Sequence, residues 1–259
     1  MTPEPIVDVE DLRVRFGGAS LFGRKKSTDA VRGVSFSIQP HETLALVGES
    51  GSGKTTTGRA ILGLSPVVGG RVTVRGKNVD SKHSPHPQDV QMVYQNPYES
   101  LTPQMKIFDL VAEPLRVNRL AESKDEVADR VGELLELVGL PRQYWERLPR
   151  SMSGGQLQRV AIARALAVKP ALLVADEPVA KLDVSIQAQV VGVLRDVQKE
   201  LGMASLFITH NIALVRYVAQ RVGIMYQGEL VEVGEVSEVL HNPQHEYTRT
   251  LLAAVPRVA

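Results

Sequence analysis

At 259 residues, 43% apolar and 23% charged, the chain can bury a substantial core as one domain or a domain with a subdomain, and its balance is that of an ordinary globular protein. A net charge of +1 argues against a dedicated nucleic-acid surface, and with no cysteine there is no disulfide, thiolate metal site or thiol nucleophile. The opening MTPEPIVDVEDLRVRF lacks the basic-then-apolar layout of a secretory leader, and no apolar run reaches the ~18–20 residues of a spanning helix, so any membrane role is expected through a partner.

In chain order, residues 6–16 and 31–38 alternate apolar and polar positions, as half-buried strands do. TLALVG at 43–48 is a short apolar run ending in glycine, the pattern of a buried parallel strand, and helical text from Lys54 to about Leu64 follows it. GGRVTVRGKNV predicts a turn and another strand, and VQMVY at 90–94 a further one. From about Pro97 to Gly155 the text becomes helical. There Val127, Val131, Leu134, Leu135 and Val138 share one helix face, with Ser123 and Glu126 as a capping box and Gly139 as the stop. The strand–helix alternation then resumes: GQLQRVAIARALAV as a helix ending before Pro170, ALLVAD at 171–176 as a buried strand, and VSIQAQVVGVLRDVQKEL as a helix. ASLFIT at 204–209 is a strand, and VGIMYQGELVEVG a hairpin turning at Gln227–Gly228. This order predicts an α/β fold: a parallel-sheet core with an inserted helical lobe.

GESGSGKT matches G-x-x-x-x-G-K-[ST] and lies between a predicted strand and helix, where a phosphate-binding loop belongs. Glycines let the backbone wrap an anion so that its N–H groups face inward at the positive end of a helix. The loop and its first helical residues are Gly48, Glu49, Ser50, Gly51, Ser52, Gly53, Lys54, Thr55 and Thr56. Lys54 is expected on the β- and γ-phosphates, and the Thr55 hydroxyl on Mg²⁺. Asp176 ends the apolar strand LLVAD, where a parallel sheet would set it beside this loop to help hold Mg²⁺. Glu177 follows on the γ-phosphate side, placed to orient and deprotonate a water; without the loop the same pair would read as a solvated turn. A second glycine pair, in MSGGQ, opens another helix whose positive end also suits an anion.

The order GESGSGKT, VYQNP, MSGGQLQR, LLVADEP, Leu182-Asp183 and ITHN resembles that of ATP-binding cassette (ABC) ATPases over nearly the whole chain. HNPQHEYTRTLLAAVP, with GESGSGKT and DVSIQAQVV, looks like the oligopeptide/dipeptide/nickel importer branch. The resemblance implies a P-loop NTPase fold, a RecA-like parallel sheet with an N-terminal antiparallel β region and a helical subdomain at about 97–158. The ATPase domain would span 1–235, with a C-terminal extension at 236–259. It implies that Phe16 stacks on adenine, the alternative being a strand core residue. Gln95 would sense Mg²⁺ or the attacking water, unless it is a solvated loop glutamine. His210 would contact the γ-phosphate and hold Glu177 in register, and Asp183 would communicate across a dimer. Ser153, Gly154, Gly155 and Gln156 would complete the nucleotide site of the other subunit, so that two ATPs lie sandwiched between two chains. The implied partners are a second ABC ATPase subunit, two transmembrane permease subunits and an extracytoplasmic solute-binding protein, with the chain peripheral on the cytoplasmic face of the inner membrane.

Some positions depart from the family pattern: Met152 for leucine, Ala180 and Lys181 for a small Ser/Thr-Ala pair, Asn211 for aspartate, and His41 for a turn glycine. None removes a group that hydrolysis needs. His83, His86, His241 and His245 lack the fixed carboxylate support of a metal site, and Tyr144 and Trp145 are expected as packing residues of the helical lobe. A competing reading is a soluble ABC ATPase accessory to an enzyme complex, such as phosphonate C–P bond cleavage. A small-molecule phosphotransferase would leave MSGGQ and His210 without purpose.

Overall fold

A computed structural model describes residues 4–17, 27–80 and 82–254, so the ends of the chain, including the last five residues of the expected extension, lie outside the described residues. Two sheets form the frame. Strands β1 (Val7–Phe16), β2 (Thr28–Ile38), β4 (Val67–Val74) and β5 (Lys77–Asn78) make an antiparallel sheet in the order β2-β1-β4-β5. Strands β3 (Thr43–Val47), β6 (Val90–Val93), β7 (Leu172–Asp176), β8 (Ala204–Thr209), β9 (Arg221–Tyr226) and β10 (Glu229–Glu235) make the other, ordered β10-β9-β3-β8-β7-β6. All neighbours in it are parallel except the β9–β10 hairpin, which turns at Gln227–Gly228 as the sequence predicts. Every residue of β3, β7 and β8 is buried, which is why these strands read as continuous apolar runs rather than alternating ones.

The antiparallel sheet differs from expectation in three places: β2 begins at Thr28, the strand expected in GGRVTVRGKNV is split into β4 and β5, and the glycine turn is absent. Gly69 and Gly70 lie inside β4 instead of forming a turn before it. Strand β1 bulges between Val9 and Leu12, with Asp11 at φ 46, and this shifts its buried positions from Val7 and Val9 to Leu12 and Val14. A Cβ on Gly70 would lie 2.2 Å from the Asp11 carbonyl oxygen, so the glycine admits the bulge.

Helix α1 (Lys54–Ile61) ends earlier than expected because Gly63 turns left-handed at φ 72. Residues 97–155 carry α2 (Ile107–Val117), α3 (Lys124–Leu137) and single 3₁₀ turns, before α4 (Gly154–Leu166). On α3, Val127, Val131, Leu135 and Val138 are buried and Leu134 partly so, against α2 and α4. Ser123 caps α3 as predicted, but the Glu126 carboxylate reaches the N–H of Glu122 (2.7 Å), so the expected box is displaced by one residue. Helices α5 (Val184–Leu201), α6 (Ile212–Val218), α7 (Val236–His241) and α8 (Glu246–Ala253) complete the chain.

Among the described residues the core forms three clusters. One joins the antiparallel sheet and α1 to one face of the parallel sheet, the second joins α2–α5 to its other face, and the third packs α6 and α7 on β3 and β9. No helix among the described residues is long and apolar enough to cross a membrane.

Candidate active site

The site lies at the carboxyl ends of adjacent parallel strands, the usual place for ligands in an open α/β sheet. The phosphate loop leaves β3, Asp176 ends β7 with Glu177 next, His210 follows β8, and Gln95 lies two residues beyond β6. Register aligns these ends: Val47 lies opposite Thr209, Asp176 opposite Ile208, and Val93 opposite Ala175. Sequence-distant residues therefore meet because the strands end level.

In the loop, Gly53 takes φ 102, and a Cβ there would meet the Ala30 carbonyl oxygen at 2.5 Å. Lys54 is buried and folded back, with Nζ donating to the carbonyls of Gly48 and Glu49 at 2.8 Å each. Ser52 is buried too, whereas Glu49, Ser50 and Gly51 are exposed and Thr56 is half-buried. The Thr55 hydroxyl donates to Asp176 Oδ1 at 2.9 Å, putting the two expected Mg²⁺ ligands side by side. Burial raises the pKa of Asp176 and the Glu177 charge adds to this, against the Thr55 hydrogen bond and the cations of Arg59 and Lys54. Burial lowers the pKa of Lys54 against the pull of Glu177, Asp176 and Glu49.

Glu177 Oε2 accepts from Gln95 Nε2 at 3.1 Å and faces His210 Nδ1 at 3.2 Å, so three motifs converge on one carboxylate oxygen. The Glu177 side chain is 15% exposed and that of His210 52%, leaving the histidine open to a ligand. Phe16 is 45% exposed, so it is no strand core residue. It pairs with Thr28, two residues before the Ala30 carbonyl that backs Gly53.

The MSGGQ segment is built differently. Ser153 and Gln156 form a reciprocal capping box on α4 (3.3 and 3.0 Å), and Gln156 Nε2 donates to the Tyr144 hydroxyl at 3.1 Å. Tyr144 thus orients this segment as well as packing, while Trp145 packs on Phe108. Buried Gly155 leaves no room for a side chain, since a Cβ would lie 2.4 Å from Ile186 Cγ2; Gly154 and Asp183 are exposed. Asn211 caps α6 by accepting from the N–H of Ala213 (3.1 Å), a task it performs as well as aspartate. His41 adopts the left-handed φ of 64 that its turn requires, and Lys181 is exposed.

Sequence reasoning missed two polar links. Buried Gln158 of α4 donates to the carbonyl of Tyr94, next to Gln95, and Tyr247 accepts from the N–H of Glu49. Both residues lie in segments on which the resemblance rests, MSGGQLQR and HNPQHEYTRTLLAAVP, but their partners are distant in the chain.

The ABC transporter family profile matches residues 31–180, more than half of the chain, and the chain belongs to that family; it is an ATP-binding, ATP-hydrolysing cassette. The profile of the oligopeptide/dipeptide transporter C-terminal region matches residues 231–259, so its extension is of that kind. The oligopeptide transport ATP-binding protein OppF of Bacillus subtilis (strain 168) is 45% identical over 98% of this chain and 83% of its own length. The glutathione import ATP-binding protein GsiA of Escherichia coli (strain K12) is 48% identical over 98% of this chain, which spans only 41% of GsiA. Among solved structures, the dimeric post-hydrolysis cassette MJ0796 bound to ADP and Pi is 26% identical with a TM-score of 0.77, covering 89% of this chain and 98% of that one. The cassette cbiO1 of Clostridium perfringens, part of the transporter complex cbiONQ, gives 26% and 0.77 over 98% and 97%. The fold and ATPase expectations are met, and nothing in these relatives favours the phosphonate-cleavage reading.

Proposed function

We propose that the chain drives an importer for peptides or related small solutes by hydrolysing ATP between two cassettes. OppF is named for oligopeptides and GsiA for glutathione, itself a tripeptide, which favours peptides over nickel. The observation that carries the mechanism is the meeting of Gln95 and His210 on Glu177 Oε2, beside the phosphate loop.

In this reading the loop amides cradle the phosphates and Lys54 turns from its carbonyls to the β- and γ-oxygens. Phe16 stacks on the adenine. The Thr55 hydroxyl and Asp176 carboxylate, hard oxygen donors in contact, fit Mg²⁺, with Gln95 as a third ligand. Held by these residues, Mg²⁺ would neutralise negative charge on the phosphates. Glu177 orients a water and accepts its proton as the water oxygen bonds to the γ-phosphorus; the bond to the β,γ-bridging oxygen breaks and its electron pair leaves with ADP. His210 and Gln95 hold Glu177 in register. Residues 153–156 and Asp183 serve the nucleotide of a second ATPase subunit, identical or related.

The remaining partners are two permease subunits and an extracytoplasmic solute-binding protein, with this chain peripheral at the cytoplasmic face of the inner membrane. We assign residues 1–235 to the ATPase domain, about 97–158 to its helical subdomain, and 236–259 to the extension. Glu177→Gln is expected to bind ATP normally and to turn over at least ~10²-fold more slowly, since it keeps the shape and removes the base. Normal turnover by that variant, in a complex purified with its membrane partners, would refute the role of Glu177. Recovery of the native chain with a soluble enzyme instead of integral membrane proteins would refute the importer reading.

A further inference from the structure

The N–H of Glu49, at the start of the phosphate loop, donates to the hydroxyl of Tyr247 at 3.2 Å, although the two lie 198 residues apart. The same peptide unit carries the Gly48 carbonyl, which accepts from Lys54 Nζ at 2.8 Å. A planar trans peptide directs its C=O and N–H to opposite sides, so lysine and tyrosine hold this unit between them.

Tyr247 is itself fixed. Its ring lies on Tyr226 at the end of β9, with centroids 4.2 Å apart, and its N–H donates to His245 Nδ1 at 3.2 Å. Glu232 of β10 accepts from the N–H groups of Gln244 and His245 at 2.8 and 3.1 Å, and Thr248 is fully buried. The β9–β10 turn touches the loop as well, through the Gly228 N–H on the Ser52 carbonyl at 3.0 Å. A phenol is neutral at physiological pH, and burial, which raises the pKa of Tyr247, adds to this.

We propose that Tyr247 is a positioning residue of the nucleotide site, through which the C-terminal extension sets the first peptide of the phosphate loop. Phosphates that draw Lys54 away release its grip on the Gly48 and Glu49 carbonyls, and the tyrosine then remains as the hold on that peptide. Coupling is reciprocal: if a docked α8 favours the nucleotide-ready loop, nucleotide favours the docked α8. The inference rests on residues 48–56 being the phosphate loop and adds a role for the extension.

The test uses the full-length chain. Tyr247→Phe keeps the ring on Tyr226 and removes only the acceptor. Its Kd for ATP is expected to rise about 2–10-fold, the factor one neutral hydrogen bond supplies. Hydrogen exchange should quicken at amides 48–52 while protection across 246–253 stays native. ATP should slow exchange across 246–253 in the native chain and do so less in Tyr247→Phe. Unchanged ATP affinity and loop exchange in Tyr247→Phe would overturn the proposal, as would lost protection across 246–253, which marks simple undocking. Lys54→Ala tests the foundation: if it binds ATP normally, the loop reading fails and the proposal with it. A non-binding Lys54→Ala beside an unaffected Tyr247→Phe refutes the positioning role alone.

Discussion

Glu177 takes the left-handed backbone, φ 45, at a position where glycine would be easier. Such a conformation costs a non-glycine residue on the order of 1–3 kcal/mol and persists where its surroundings over-determine it. Here the Glu177 N–H is tied to the Ile208 carbonyl at 2.9 Å, and the carboxylate takes Gln95 and His210 on one oxygen. These ties, on the backbone and on the carboxylate, hold the left-handed conformation in place. Asp176 carries a different cost, a buried negative charge whose protonated form is favoured by its surroundings. Asp176→Asn keeps an acceptor for the Thr55 hydroxyl and removes that charge. Without nucleotide, its Tm should rise by about 2–4 °C, the response of a chain of this size to ~1 kcal/mol. The further rise that MgATP gives the native chain should shrink. A lower Tm for nucleotide-free Asp176→Asn would show that the charge is compensated within the chain, and calorimetry with and without MgATP decides this.

Among the elements, α8 packs through Tyr247, Leu251 and Leu252, and the turn that leads into it is tied by the Glu232 carboxylate. Burial pushes the Glu232 pKa up, but hydrogen bonds led by the N–H of Gln244 outweigh it and draw the carboxyl below its ordinary 4.5. A depressed folded-state pKa contributes stability that is complete above the ordinary carboxylate range and is lost as pH falls through the folded value. Exchange protection across 244–253 should therefore hold at neutral pH and fall only once acidification has passed below the ordinary carboxylate range, whereas Glu232→Gln should show weaker protection already at pH 7. Equal protection in the two chains at pH 7 would deny Glu232 this role. The elements that sequence reveals are those whose signal is local. The buried strands β3, β7 and β8 are unbroken apolar runs, α3 shows its face by spacing, and the phosphate loop lies within nine consecutive residues. The β4 glycines mislead because what they accommodate, the β1 bulge at Asp11, is distant in the chain. The contacts of Gln158 with Tyr94 and of Tyr247 with Glu49 are tertiary, so no periodicity or motif could announce them.

At the scale of the whole molecule, two glycine-rich helix starts are built differently. The loop at 48–56 leaves its own sheet at β3 and is hydrogen-bonded to Asp176 and Tyr247, with the Ala30 carbonyl close behind Gly53. The side-chain hydrogen bonds of Ser153 and Gln156 go to one another and to Tyr144, while Ser153 and Gly154 stay exposed. A preformed helix start with open N-terminal residues suits an anion brought by another chain. The post-hydrolysis cassette that resembles this one is a dimer bound to ADP and Pi. The central claim is that a second subunit completes the hydrolytic site through residues 153–156. Ser153→Arg tests it most directly, because a large side chain at an exposed helix start should leave the chain's own phosphate loop intact. Two quantities are measured: ATP binding by the isolated variant, and ATP turnover once it is assembled with its partners. The expected result is native affinity in the isolated chain with turnover reduced at least ~10²-fold, the scale of losing preorganised donors to a reacting phosphate. Loss of ATP binding by the isolated variant, or native turnover in the assembly, would contradict the claim.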